Sequence, residues 1–162
     1  MKLDAKIYKI LIDKDINFLI SGPSIVFNNL IDLIEERQQL VHVPIIREDE
    51  AIGIASGIFT GGKKSIILIN EMGLGNLINA IRLLSNPYKI PLIIMITPTP
   101  DLDQENNPTR DTNLGLIDHF NIKKWRIKSI KDIDNLSEAI DYSVAKDEIV
   151  VIIFESFLEG ME

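Results

Sequence analysis

The hydrophobic positions of this chain fall into short unbroken runs of Ile, Val and Leu. Between the runs, apolar residues recur every three or four positions. The runs at Asn17–Ser21, Leu40–Ile46, Ser65–Asn70, Pro91–Thr97, Lys124–Lys128 and Ile149–Glu155 have the length of strands. Several are apolar on both faces, as a parallel sheet covered by helices on each side requires. The intervening spacing predicts helices over Leu3–Lys14, Ile25–Arg37, Glu48–Phe59, Leu74–Leu84 and Ile133–Ala145, with a short one around Leu114–Phe120. Turn residues such as Gly61-Gly62 and Asn86-Pro87 separate helix from strand.

Alternation of this kind predicts an α/β domain: a parallel sheet of about six strands, helices on both faces, and right-handed crossovers. A chain of 162 residues is sized for one domain, spanning 1–162. One segment breaks the alternation. Pro98–Asp111 has three prolines, several acids and asparagines and little apolar content, and is expected to be a surface loop.

Composition narrows the function. The net charge is −7, with 24 acids against 17 bases, a poor surface for nucleic acid. There is no cysteine, so disulfides and cysteine-held zinc are excluded. No apolar run reaches the ~20 residues of a membrane span, and the first residues lack a secretory pattern. A cytoplasmic protein is expected.

In open parallel sheets ligands bind beyond the carboxyl ends of the strands. That rule selects Ser21-Gly22-Pro23-Ser24, Arg47-Glu48-Asp49-Glu50, Asn70–Asn76 and the segment after Pro98. Three acids crowd the second of these, between an apolar strand and an apolar helix. A carboxylate buried there would bind a proton tightly, while its neighbours serve as ordinary helix-start acids. Gly73-Leu74-Gly75-Asn76 forms a strand-to-helix turn whose backbone could approach a ligand closely, but it is neither a P-loop nor a full dinucleotide fingerprint. His42 and His119 sit within regular elements and are expected to be structural. No Ser/His/Asp arrangement or metal-ligand spacing stands out.

Three stretches together carry a resemblance: IIREDEAIGIASGIFTGGKKSIILI, GLGNLINAI and YKIPLIIMI. They resemble the pyrimidine-binding domain of thiamine-diphosphate (TPP) enzymes, and within it the α subunit of sulfopyruvate decarboxylase and the matching half of phosphonopyruvate decarboxylase. In that family a glutamate lies nine residues before the glycine of an Ala-x-Gly segment; Ala55-Ser56-Gly57 makes that glutamate Glu48. The resemblance implies that Glu48 hydrogen-bonds N1′ of the cofactor's aminopyrimidine, favouring the tautomer whose 4′-nitrogen deprotonates the thiazolium ring. It also implies cofactor contacts at Gly22, Pro23, Gly73, Leu74, Gly75 and Asn76. The family's Gly-Asp-Gly run, which holds diphosphate and magnesium, is missing from the sequence. The resemblance therefore implies a β subunit that binds the diphosphate and Mg2+, with TPP shared across the interface and a small 2-oxo acid as substrate. The product would be sulfoacetaldehyde, in a pathway resembling coenzyme M synthesis.

Two stretches depart from the family pattern. Asn70-Glu71-Met72 replaces Gln-Asn-Ser, and Thr97-Pro98-Thr99-Pro100 replaces a Ser-x-Arg-Gly type of sequence. Asn70, Glu71 and Arg110 are thus candidate substrate residues, Glu71 as a charge that would repel an anion and Arg110 as a replacement guanidinium. Two alternatives stay open: a TPP enzyme for another 2-oxo acid such as phosphonopyruvate, and a non-catalytic binding or regulatory module on the same fold.

Overall fold

The computed structural model describes residues 2–22, 26–99 and 108–155, with the backbone alone at 108–110. Six strands form a single all-parallel sheet: β1 (Phe18–Ser21), β2 (Val41–Pro44), β3 (Ser65–Asn70), β4 (Ile93–Thr97), β5 (Lys123–Ile127) and β6 (Val150–Phe154). Their spatial order is β2-β1-β3-β4-β6-β5. Register is continuous across the centre, with Leu19 beside Ile66 and His42, and Leu68 beside Met95. The expected α/β class and strand number are those observed.

Each strand exchanges its side chains between two cores, because successive residues point to opposite faces. On one face Leu19, Ile66, Leu68, Met95 and Ile152 pack against α1 (Leu3–Asp13), α2 (Asn28–Arg37) and α7 (Asp134–Lys146). Phe27 meets Phe154 edge-on there, with ring centroids 5.0 Å apart. On the other face Ile20, Ile67, Ile69, Ile94 and Ile153 pack against α3 (Glu48–Thr60), α4 (Leu74–Ala80) and α6 (Pro108–His119). β3, β4 and β6 are buried almost throughout, which explains their uninterrupted apolar sequence.

Two expectations are corrected. Asn86-Pro87 does not end the fourth helix: a π-helical turn, Ile81–Ser85, leads into α5 (Asn86–Tyr88), and the chain reverses only at Lys89, with φ 52°. The wide turn relieves the clash a proline ring makes with the carbonyl four residues back. The segment expected to be a loop through Asp111 becomes helical at Pro108, six residues before Leu114. Proline is well suited to a first helical turn, where its missing N–H has no intrahelical partner. Of the loop, 100–107 lies outside the described residues.

Helices repeatedly end on a residue in left-handed conformation. Asp15, Gln38, Lys89, Asn121 and Asp147 all have φ between 52° and 56°, and among the described residues only Gly62 is a glycine at such a position. Among the described residues, no helix is long and apolar enough to cross a membrane.

Candidate active site

All six carboxyl strand ends lie on one edge of the sheet. Chain direction reverses between β1, which leads outward to β2, and β3, which leads to β4. A crevice at such a reversal is where open α/β sheets bind ligands. Gly22 after β1 and the segments after β2 and β3 lie at this edge.

The three acids after β2 separate into distinct tasks. Asp49 pairs with Arg47 through two contacts, Nε–Oδ1 at 3.1 Å and Nη2–Oδ2 at 2.8 Å. That hydrogen bond holds the Asp49 carboxyl below its usual range and raises the Arg47 guanidinium. Glu50 turns back to accept from the Arg47 backbone N–H at 3.4 Å, in the manner of a capping-box acid at the start of α3. Glu48 alone reaches across to the turn after β3. The Asn76 amide donates to its Oε2 at 2.9 Å.

The glycine facing Glu48 makes that approach possible. A Cβ added at Gly73 would lie 2.5 Å from Glu48 Cγ and Oε1 and 2.6 Å from Cδ. Gly73 has φ −79°, a conformation open to any residue, so the site needs glycine for space alone. The sequence suggested that glycines here admit a ligand to the backbone; at Gly73 the room is filled by Glu48 itself. Leu74 is buried in the apolar core, so only its backbone is available to a ligand. Gly75 and Asn76 are exposed at the site edge, and Gly22, directly after β1, donates its N–H to the Leu68 carbonyl oxygen at 3.1 Å. Pro23 lies outside the described residues. Glu48 itself is half-exposed.

Of the candidate substrate residues, Asn70 and Glu71 are tied to the segment that leaves β4. Glu71 is 2% exposed and accepts the Thr99 backbone N–H on Oε1 at 3.1 Å. Its backbone carbonyl accepts the Asn113 amide at 3.0 Å, tying α6 to the end of β3. Asn70 Oδ1 accepts both the Thr99 hydroxyl, 2.7 Å, and the Met72 N–H, 2.8 Å. Asn70 and Glu71 thus clasp the segment leaving β4, and the Glu71 charge is withdrawn from the open edge. Arg110 lies in the first turn of α6; its side chain lies outside the described residues.

One arrangement was invisible in the sequence. Ser21 Oγ and His42 Nε2 are 2.8 Å apart, and His42 Nδ1 lies 2.7 Å from Glu35 Oε1. A serine, a histidine and an acid in series meet the geometry of an activated nucleophile. Ser21 is 3% exposed and the group lies on the α2 face of the sheet, opposite α3, so it pins the edge strand β2 to β1 and α2. No local motif announces it, because its members come from three separate elements. Among the described residues no cluster of three or more His, Cys, Asp or Glu is placed to hold a metal ion.

An α/β domain with this six-stranded parallel sheet is shared with 2-oxoglutarate:ferredoxin oxidoreductase from Magnetococcus marinus. The TM-score is 0.72 at 16% identity, over 97% of this chain and 29% of that one. No family model matches the sequence. The sulfopyruvate decarboxylase subunit alpha of Methanococcus maripaludis is 31% identical over 155 residues, 90% of this chain and 93% of its own. That of Methanocaldococcus jannaschii is 39% identical over 105 residues, covering 65% and 62% of the two chains. The chain belongs to the sulfopyruvate decarboxylase alpha-subunit family, a family of carboxy-lyase subunits.

Proposed function

We propose that this chain is the pyrimidine-binding subunit of a TPP-dependent decarboxylase that converts sulfopyruvate to sulfoacetaldehyde and CO2, a step of coenzyme M synthesis. The observation that carries the reading is Glu48, the one acid of its cluster that leaves the helix start and faces the crevice at the chain reversal. Its surroundings suit an aminopyrimidine: a part-exposed carboxylate stands at the strand edge, beside the exposed Gly75 and Asn76. In this role Glu48 shares a proton at N1′ of the pyrimidine, while the Gly22, Gly75 and Asn76 segments border the ring. Bound TPP supplies the electron sink for the carbon–carbon bond that breaks.

A β subunit would hold the diphosphate and Mg2+, since the sequence has no Gly-Asp-Gly run. The surface beside Glu48 suits such a partner. After Glu50, α3 carries no charge, and Arg82 is the one charged residue from Leu74 to Tyr88. Gly53, Gly57 and Phe59 on α3 and Leu83 and Tyr88 beyond α4 are exposed, as is Ile46, 89% exposed, immediately before the acidic cluster. Apolar exposure on this scale favours coverage by another chain. Arg110, at the start of the helix that Asn113 ties to Glu71, is the residue proposed to meet the sulfonate.

Glu48→Gln tests the reading. In the complex with its β subunit this variant is expected to fold and assemble normally and to lose turnover of sulfopyruvate with TPP and Mg2+. Turnover at the native rate would overturn it.

A further inference from the structure

We propose that Asn76 is a positioning residue that assigns different tasks to the two oxygens of Glu48. This rests on the reading of Glu48 as the group that meets N1′. The Asn76 side-chain nitrogen can only donate, and it donates to Oε2 at 2.9 Å. A proton on Oε2 would have to displace that donor. The proton that Glu48 shares with a ligand therefore resides on Oε1. The same carboxylate packs against the bare Cα of Gly73, where Oε1 and Cγ each lie 2.5 Å from the site a Cβ would take. Glu48 is thus bracketed, by a hydrogen bond on one oxygen and by close packing along its stem.

Asparagine suits this position for a chemical reason. An amide does not titrate near neutral pH, so it holds the carboxylate in one rotation whether or not a proton is shared. An aspartate of the same shape would turn one acceptor toward another and push Glu48 away, until one of the two carboxyls took up a proton and became a donor again. A lysine would bring a competing full charge to the same oxygen.

Amide resonances, C2 exchange and TPP binding test the assignment without turnover, and kcat and KM test it with turnover. In the chain alone, the side-chain amide resonances of Asn76 are expected to shift when Glu48→Gln is introduced. In the complex with its β subunit, TPP and Mg2+, Asn76→Ala is expected to slow hydrogen–deuterium exchange at thiazolium C2, and kcat with it, by about tenfold to a hundredfold. KM and the TPP dissociation constant should stay within about threefold, since the lost interaction is an orienting one. Asn76→Asp is expected to slow exchange at neutral pH and to recover as pH falls, a profile that neither the native complex nor Asn76→Ala shows. Native exchange rates in both Asn76 variants, with exchange abolished by Glu48→Gln, would overturn the positioning role and leave the proposed function standing. Weakened TPP binding at unchanged kcat would also overturn it, by making Asn76 a direct cofactor contact. Native exchange in Glu48→Gln would overturn the proposed function and this inference together.

Discussion

Gly73→Ala separates space from backbone conformation more cleanly than any other substitution at the site. The new methyl would sit 2.5 Å from Glu48 Cγ and Oε1, whereas carbon atoms in contact prefer roughly 3.5–4.0 Å. Glu48 must therefore move by about 1 Å or more, and with Cγ among the clashing atoms it moves as a whole side chain rather than at its tip. The backbone accepts alanine, at φ −79° and ψ −10°. Restricting the unfolded chain contributes roughly 0.4–1 kcal/mol of stability. Against this stand a displaced rotamer, about 0.5–1.5 kcal/mol, and the bond from Asn76, about 1.5 kcal/mol at a half-exposed carboxylate. The opposing effects leave a net loss of roughly 1–2.5 kcal/mol, and for a chain of this size each kcal/mol moves Tm by about 2–4 °C. On the proposed role of Glu48 activity should respond far more strongly, because a displacement of about 1 Å at a group that handles a proton costs about a hundredfold. Circular dichroism melts of the chain and kcat of the reconstituted decarboxylase measure the two effects side by side. A variant that folds and turns over within about threefold of the native complex would refute the claim that Gly73 is there to make room for Glu48.

Asp4 offers a test of buried charge. Its Oδ1 is buried without a hydrogen-bond partner, and burial lifts its carboxyl above the usual 3.8 despite the lowering influence of its own backbone, Lys2 and Asn29. A raised folded value means that the folded chain binds the proton more tightly than the unfolded one, so stability is lost as pH rises from 3.8 through the folded value. Asp4→Asn should therefore raise Tm at pH 7, and the gap should close as pH approaches 3.8 in melts across that range. At the end of α2, Gln38 has φ 53°, and a left-handed residue other than glycine costs about 1 kcal/mol. Gln38→Gly is expected to raise Tm by about 2–4 °C; an unchanged or lower Tm would show that the Gln38 side chain compensates for the strain.

The sheet was legible because its strands are buried on both faces. Ser65–Asn70 is predicted to the residue, and the other strands to within one or two residues at each end. The helix around Pro108 was not, because polar residues and a proline conceal its first turn, and its anchor, the bond from Asn113 to Glu71, joins residues far apart in sequence. The helical course through Pro87 was hidden for a related reason: a proline reads as a stop, and the π-helical turn that accommodates it has no sequence mark. At the site, the pattern of residues left three neighbouring acids undistinguished and only the family resemblance pointed to Glu48; the geometry separates it from Asp49 and Glu50. The burial of Glu71 was not legible, because the bond it accepts from the Thr99 N–H joins residues 28 apart in sequence. The Ser21–His42–Glu35 chain depends on side chains from two strands and a helix, which no reading of local pattern assembles.

The two outer strands shape how this chain can meet others. β2 ends in Pro44, which has no N–H to offer a neighbouring strand, and β5 carries Lys123, Lys124 and Arg126 along its length. Lys124 is paired with Asp118, and Arg126 with Glu155. Neither border invites a further strand to zip on. Association is steered instead to the sides of the molecule, where helices lie. A subunit built this way can be exposed and sticky on one flank, awaiting its counterpart, while its sheet stays closed to the runaway stacking that begins fibrils.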